Sequence, residues 1–272
     1  MSASPLLSKY CKPEDGNAAQ DITPEKAGWQ YVGFEVQELK AGDTISQATE
    51  DQEYCLVLVS GLASLTSKTL NEDNLGQRMS PFERTPPYSV YLPNHDQFTL
   101  TALTDVELAI CKAPSKGTYP ARVIAPADVG VEHRGKGFNK RFVQNILPED
   151  KPADSLLVVE VFTDEGNTSS YPSHKHDQDN CPAETYLEET YYHRIDPPQG
   201  FVFQRVYTDD RSLDESMAVY DKDVVMVPKG YHPVATLAGY TSYYLNVMAG
   251  PTRRWCFTWE KDHNWVNGPD YK

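Results

Sequence analysis

Short apolar runs broken by polar turns follow one another along the whole chain. They include YCLVLVSGLASL (54–65), YSVYLP (88–93), VELAICKAP (106–114), SLLVVEVFT (155–163), GFVFQRVY (200–207), DVVMVP (223–228) and SYYLNVMAG (242–250). Each is rich in β-branched or aromatic residues and bounded by Gly, Pro, Asp or Asn, which predicts strands. No long segment keeps a helical period. With 20 prolines as punctuation, the pattern predicts an all-β sandwich or barrel.

The pattern also repeats. SVYLPNHDQFTLTALTDVELAICKAP (89–114) and DVVMVPKGYHPVATLAGYTSYYLNVMAGP (223–251) share one layout. Each has an apolar strand ending in Pro, a turn, a strand, a turn with Thr, and an apolar strand ending in Pro. Pro93 then matches Pro228, and Pro114 matches Pro251. A weaker match sets EYCLVLVSG (53–61) beside ETYYHR (189–194). Two tandem β-barrels, 1–128 and 129–272, explain both the echo and the length. The basic, glycine-containing stretch VGVEHRGKGFNKRF (129–142) reads as their connection.

Composition narrows the partners. The 272 residues carry a formal net charge of −14, a field that repels phosphate backbones and anionic lipid surfaces. Nucleic acid and membrane surfaces are therefore excluded, and an anionic small molecule would need a local Arg or Lys cluster. Five scattered cysteines form no C-x-x-C pair, which fits a reducing cytoplasm. No run approaches the ~18 apolar residues needed to span a bilayer. Assembly into a homo-oligomer is left open. The 17 tyrosines suit strands and half-wet pockets.

Six of the seven histidines lie from His133 onward, and one arrangement carries chemistry. In His174-Lys175-His176 the imidazoles are two residues apart, so on a strand both face one side while Lys175 points away. Glu189 opens the next strand-like run and shares a face with Tyr191 and His193; Glu188 is its rival. His232 follows Pro228-Lys229-Gly230 at a tight turn that can return a third imidazole to the same spot. Three neutral imidazoles and one carboxylate suit Zn²⁺, Mn²⁺, Fe²⁺ or Ni²⁺. The N-terminal half has no histidine before His95. There Gln97 falls near the place of His232, and Glu53 echoes Glu189 without a preceding H-x-H. That half is expected to be a metal-free barrel with a structural or interface role.

H-x-H, a later Glu opening a strand, and P-x-G followed by His resemble the two motifs of the cupins. The runs PSHKHD, LEETYYHR, GFVFQRVYTDDRSLDE, DVVMVPKGYHPV, YYLNVMAGPTRRW and RGKGFNKRFVQNIL resemble the 5-deoxy-glucuronate isomerases of inositol catabolism. Those are bicupins related to the 5-keto-4-deoxyuronate isomerases. The resemblance implies two tandem, jelly-roll-like cupin barrels. It also implies an aldose–ketose exchange that converts 5-deoxy-glucuronate to 5-dehydro-2-deoxy-gluconate.

Such a reaction moves a proton from C2 to C1 through an enediolate. It needs a cation at the carbonyl oxygen, a base within hydrogen-bond reach and an Arg for the carboxylate. No electrons leave the substrate, so redox-inert Zn²⁺ is the first choice. Tyr191, Tyr244 and loosely bound Glu189 are the candidate bases. Arg205, alternating with Phe201, Phe203 and Tyr207, is the first candidate clamp, followed by Arg253 and Arg254. The tail KDHNWVNGPDYK (261–272) is assigned no chemistry. A metal-dependent cupin dioxygenase and a non-catalytic cupin binding protein are the alternative functions.

Overall fold

A computed structural model describes residues 4–13, 18–269 and 271. The chain divides into two compact units. One takes in the N-terminal segment to Tyr10 with Val131–Gln144 and Val159–Lys272; the other takes in Cys11–Gly130 and Asn145–Val158.

Both units are built from strands, and strand order shows why the sequence echoes itself. In the second unit one sheet contains Ser89–Leu92, Gln52–Ser60, Val106–Pro114 and Gly33–Leu39 as successive neighbours. In the first unit Val224–Val227, Glu188–Asp196, Thr241–Ala249 and Leu157–Thr163 stand in the same order. The facing four-stranded sheets also correspond. Thr44–Ala48, Gln97–Ala102, Ala63–Ser67 and Asn71–Leu75 match Thr168–Ser169, Val234–Thr236, Phe201–Tyr207 and Asp214–Tyr220. In each four-stranded sheet the last strand in sequence lies second, between the first strand and the next, the interleaved order of a double-sheet jelly roll. The fold is all-β and of the cupin type.

Residue pattern decides which strands are central. Gln52–Ser60 is buried along nearly its whole length, as its unbroken apolar run YCLVLV predicts. Gln97–Ala102 alternates, with Phe98, Leu100 and Ala102 buried and Gln97 exposed. Tyr54, Leu56, Leu58, Phe98, Leu100 and Ile110 belong to one core cluster of this unit. Glu53 joins that unit's loops to its sheet. Its buried carboxylate accepts the Tyr91 hydroxyl (2.6 Å) and the backbone N–H groups of Asp154 (2.8 Å), Ser155 (2.7 Å) and Leu156 (2.7 Å). In the first unit the strand Leu7–Ser8 pairs with Val224 and Val225, and the Tyr10 N–H donates to Asp223 Oδ1 at 2.8 Å. Among the described residues no helix is long and apolar enough to cross a membrane.

Candidate active site and metal centre

Inside the first unit, alternate residues of four neighbouring strands turn toward one cavity of about 310 Å³. They are Glu189 and Tyr191; Tyr244, Asn246 and Met248; Val159 and Val161; and Arg141 and Val143. The two-residue period of a strand puts each set on one face. Ser170, His174, Arg134, Trp255, Phe257 and Trp259 complete the lining.

His174, His176 and His232 are buried, and their ligand atoms lie within 4.8 Å of one another. Local chemistry sets each ring. His174 and Lys175 form a short strand paired with Thr258–Trp259. Lys175 points away from the cluster, its Nζ 2.7 Å from Asp177 Oδ1. Asp177 Oδ2 in turn accepts the Gly230 N–H at 3.0 Å, which ties this segment to the turn before His232. Gly230 has φ +89°, and a Cβ there would lie 2.4 Å from the Tyr207 carbonyl oxygen. The turn therefore requires glycine.

Tautomers follow from the backbone. His176 Nδ1 lies 3.0 Å from the Leu187 carbonyl oxygen, and His232 Nδ1 lies 2.8 Å from that of Gly230. Each Nδ1 must carry the proton to donate, so each Nε2 has a bare lone pair. Those lone pairs face Glu189 Oε2 at 3.1 and 3.3 Å. Two lone pairs against a carboxylate repel unless a proton or a cation lies between them. His174 Nδ1 and His232 Nε2 are buried without any hydrogen-bond partner. Burial, then the neighbouring His232 and His176, hold His174 well below the usual histidine range. Burial lowers His232 to about 4. Burial also opposes charge on His176, but the hydrogen bond and charge of Glu189 raise it. Two imidazoles turned by carbonyls toward one carboxylate, with His174 held neutral by burial beside them, fit a single divalent ion. Glu188, the rival carboxylate, turns the other way, with Oε1 3.4 Å from the Tyr186 hydroxyl.

Tyr191 and Tyr244 meet over the cavity, ring centroids 4.8 Å apart. Ser170 Oγ lies 2.9 Å from the Tyr191 hydroxyl and 3.4 Å from that of Tyr244. His193 shares the Glu189 face as expected, but it packs against Tyr191 and bonds Gln204 Oε1 at 2.9 Å.

The expected clamps are not in the cavity. Arg205 lies on an outer face, its Nε and Nη2 held by both Asp214 oxygens at 2.8 and 2.7 Å. Phe203, on the same face, is 52% exposed, so the aromatic alternation around Arg205 marks an outer surface. Arg253 is half-buried and does not line the cavity. The arginines that do are Arg134 and Arg141, from the stretch read as a connection. Their signal was a basic run in a strongly acidic chain. Trp255, Phe257 and Trp259 were also missed, although their two-residue spacing is a strand pattern. Their rings lie 6.4, 4.9 and 5.6 Å from that of His174.

Comparison with known proteins agrees with this architecture. A 5-deoxy-glucuronate isomerase of Geobacillus thermodenitrificans is 60% identical over 261 residues, covering 96% of this chain and 95% of the relative. That of Bacillus subtilis strain 168 is 53% identical over 265 residues, covering 96% and 98%. The crystal structure of an IolB-like protein of Salmonella typhimurium LT2 superposes with a TM-score of 0.94 at 63% identity, covering 97% of this chain and 99% of that one. Oxalate decarboxylase of Lactobacillus farciminis shares the fold alone, with a TM-score of 0.61 at 10% identity over 95% of this chain and 89% of its own. Residues 6–266 match the KduI/IolB family, and with these relatives beside the match the chain belongs to that family.

Proposed function

We propose that this chain is a metal-dependent aldose–ketose isomerase. It converts 5-deoxy-glucuronate to 5-dehydro-2-deoxy-gluconate in inositol catabolism, and it works in the cytoplasm. The observation that carries the reading is the buried cluster of three imidazoles, two of them facing Glu189, beside a ligand-sized cavity that His174 and Glu189 line. The 60% identical relative with that name supports the substrate.

His174, His176, Glu189 and His232 would hold the ion, with zinc the first choice and manganese, iron or nickel compatible with the same donors. Bound there, a divalent ion supplies positive charge beside the substrate carbonyl oxygen as negative charge develops on it. The chain's own groups handle the proton. Among the described residues Glu189 is the one carboxylate lining the cavity, and with Oε2 turned to the imidazoles its Oε1 is left to accept the C2 proton and return it to C1. Burial, then the Glu189 charge, pushes the Tyr191 phenol well above its usual range, and burial raises Tyr244. Both are therefore O–H donors at neutral pH. They suit hydrogen bonds to O1 and O2 of the enediolate better than the role of base. Ser170 bridges the two hydroxyls and gives the O2 proton a path to O1. Valine and tryptophan walls keep the reacting atoms dry, which strengthens every such contact.

The test is an anaerobic assay on 5-deoxy-glucuronate joined to metal analysis of the same sample. One ion per chain and ketose formation without oxygen is the expected result. Turnover that consumes oxygen, or full activity in metal-stripped protein, would reject the reading.

A further inference from the structure

Arg141 stands out among the groups that line the cavity. It opens the strand Arg141–Leu147, and its Nη1 donates to Asn139 Oδ1 (2.9 Å), the Asn139 carbonyl (3.0 Å) and the Tyr171 carbonyl (3.4 Å). All three bonds use Nη1. Its Nε and Nη2 bond to none of the described residues, and among these no carboxylate is in ion-pair contact with it; Glu132, which pairs with Arg134, acts on it only through space. Arg194, Arg205 and Arg134 each face an acid: Asp221 at 2.9 Å, Asp214 at 2.7 Å and Glu132 at 2.5 Å. In a chain of net charge −14, a guanidinium held in a cavity with no acid in contact costs stability. The free Nε–Nη2 edge is the one that Arg205 lays on Asp214, a geometry that matches a carboxylate with two parallel bonds.

We propose that Arg141, pinned by buried Asn139 and flanked by Arg134, forms a carboxylate subsite. It fixes the acid end of an open-chain sugar acid while the carbonyl end lies at the histidine cluster. This rests on the isomerase reading and names the substrate feature the site selects. Arg141 shares the cavity wall with Tyr191, Tyr244 and His174. One bound molecule therefore contacts both ends of the site. Arg134 lies over the Trp255 ring at 5.1 Å and adds positive potential. Val143, Val159 and Val161 exclude water beside it, which makes a charge-assisted pair stronger. Asn139 is a positioning residue: it is 2% exposed and holds the fork in place without facing the substrate.

The experiment compares R141A, R141K, N139A and R205A on 5-deoxy-glucuronate and on 5-deoxy-glucose, its uncharged counterpart. Calorimetric titration with D-gluconate and D-glucitol, which have no aldehyde to isomerise, gives a readout independent of turnover. Metal content and melting temperature check that each variant is folded and loaded. R141A should lower kcat/KM for the acid by about ten- to a hundredfold and abolish gluconate binding. Its effect on the uncharged sugar should stay below about threefold. Lysine should rescue in part, since it keeps the charge but not the fork. N139A should raise KM for the acid more than it lowers kcat, and R205A should match the parent protein. Equal penalties on acid and uncharged sugar, or gluconate binding that survives R141A, overturn the subsite. If R141A does not fold, an unchanged preference for the acid in both R141K and N139A overturns it. A parent protein that binds gluconate through Arg141 but isomerises nothing supports the subsite and overturns the isomerase assignment.

Discussion

Tyr54 and Phe98 meet edge to face inside the N-terminal barrel, ring centroids 6.4 Å apart. Tyr54 stands opposite Leu92, the residue before Pro93, as Glu189 stands opposite Val227, the residue before Pro228. By that register the counterpart of Glu189 is Tyr54 rather than Glu53. Gln97, at the sequence position that echoes His232, faces solvent, and its neighbour Phe98 points inward. Where one barrel gathers imidazoles and a carboxylate, the other packs aromatic rings.

The first prediction follows from that contrast. Elemental analysis of the parent protein should return one tightly held divalent ion per chain. H174A or H232A should lower metal affinity by at least about tenfold and reduce activity with it, while circular dichroism keeps its β signature. Q97A and E53Q should keep a full metal complement. Two ions per chain, with one lost in Q97A, would contradict the assignment.

Glu53 has a different and testable role. Its carboxylate accepts four hydrogen bonds, three of them from successive backbone N–H groups. E53A leaves those donors buried and unmatched, at about 1–3 kcal/mol for each unsatisfied group. A loss of at least about 3 kcal/mol in urea unfolding is expected, with E53Q milder because its amide oxygen still accepts. An E53A midpoint equal to that of the parent would show that these bonds contribute nothing net.

The sequence showed which residues gather around the histidine cluster because each sits in a local pattern: H-x-H on a strand, Glu opening a strand, and His after a turn that only glycine can make. It carried the Tyr191 and Tyr244 faces through the same two-residue alternation. It misled at Arg205 because alternation names a face without saying which side of the sheet that face is on. Arg134 and Arg141 were hidden for another reason. They reach the cavity from the two strands at one edge of the seven-stranded sheet, a placement fixed by non-local pairing and invisible in the glycine-containing run itself. Glu53 falls one residue from the true counterpart because setting EYCLVLVSG beside ETYYHR matches letters and ignores strand register.

His193 gives a pH dependence whose sign is fixed. Burial lowers it to about 4, against 6.5 ordinarily. The unfolded chain binds the proton first as pH falls, so native stability is whole above pH 6.5 and declines between 6.5 and about 4. The slope from one such group approaches about 1.4 kcal/mol per pH unit. H193Q removes the titrating group. Urea midpoints of H193Q should therefore fall less steeply across that window than those of the parent, whatever the absolute stabilities. Parallel slopes in the two proteins would mean that His193 is not held neutral.

The last prediction concerns the aromatic strand that walls the site. Trp259 pairs directly opposite His174, and its ring lies 5.6 Å away; Phe257 lies 4.9 Å from the same imidazole. The strand is only two residues long on each side, so side-chain packing rather than backbone pairing must hold it. Truncating Trp259 removes much of that packing and opens a route for water to a cluster that is now buried. W259A should keep both barrels, because Trp259 lies outside the two large sheets, but it should release metal faster to a chelator, by about tenfold or more. Its kcat/KM should drop by a comparable factor as the proton path becomes wet. W259F should sit near the parent, since a ring still covers His174. The decisive comparison is the chelator release rate. If W259A and the parent lose metal at the same rate while activity falls, Trp259 acts on the substrate and not as a cover for the metal.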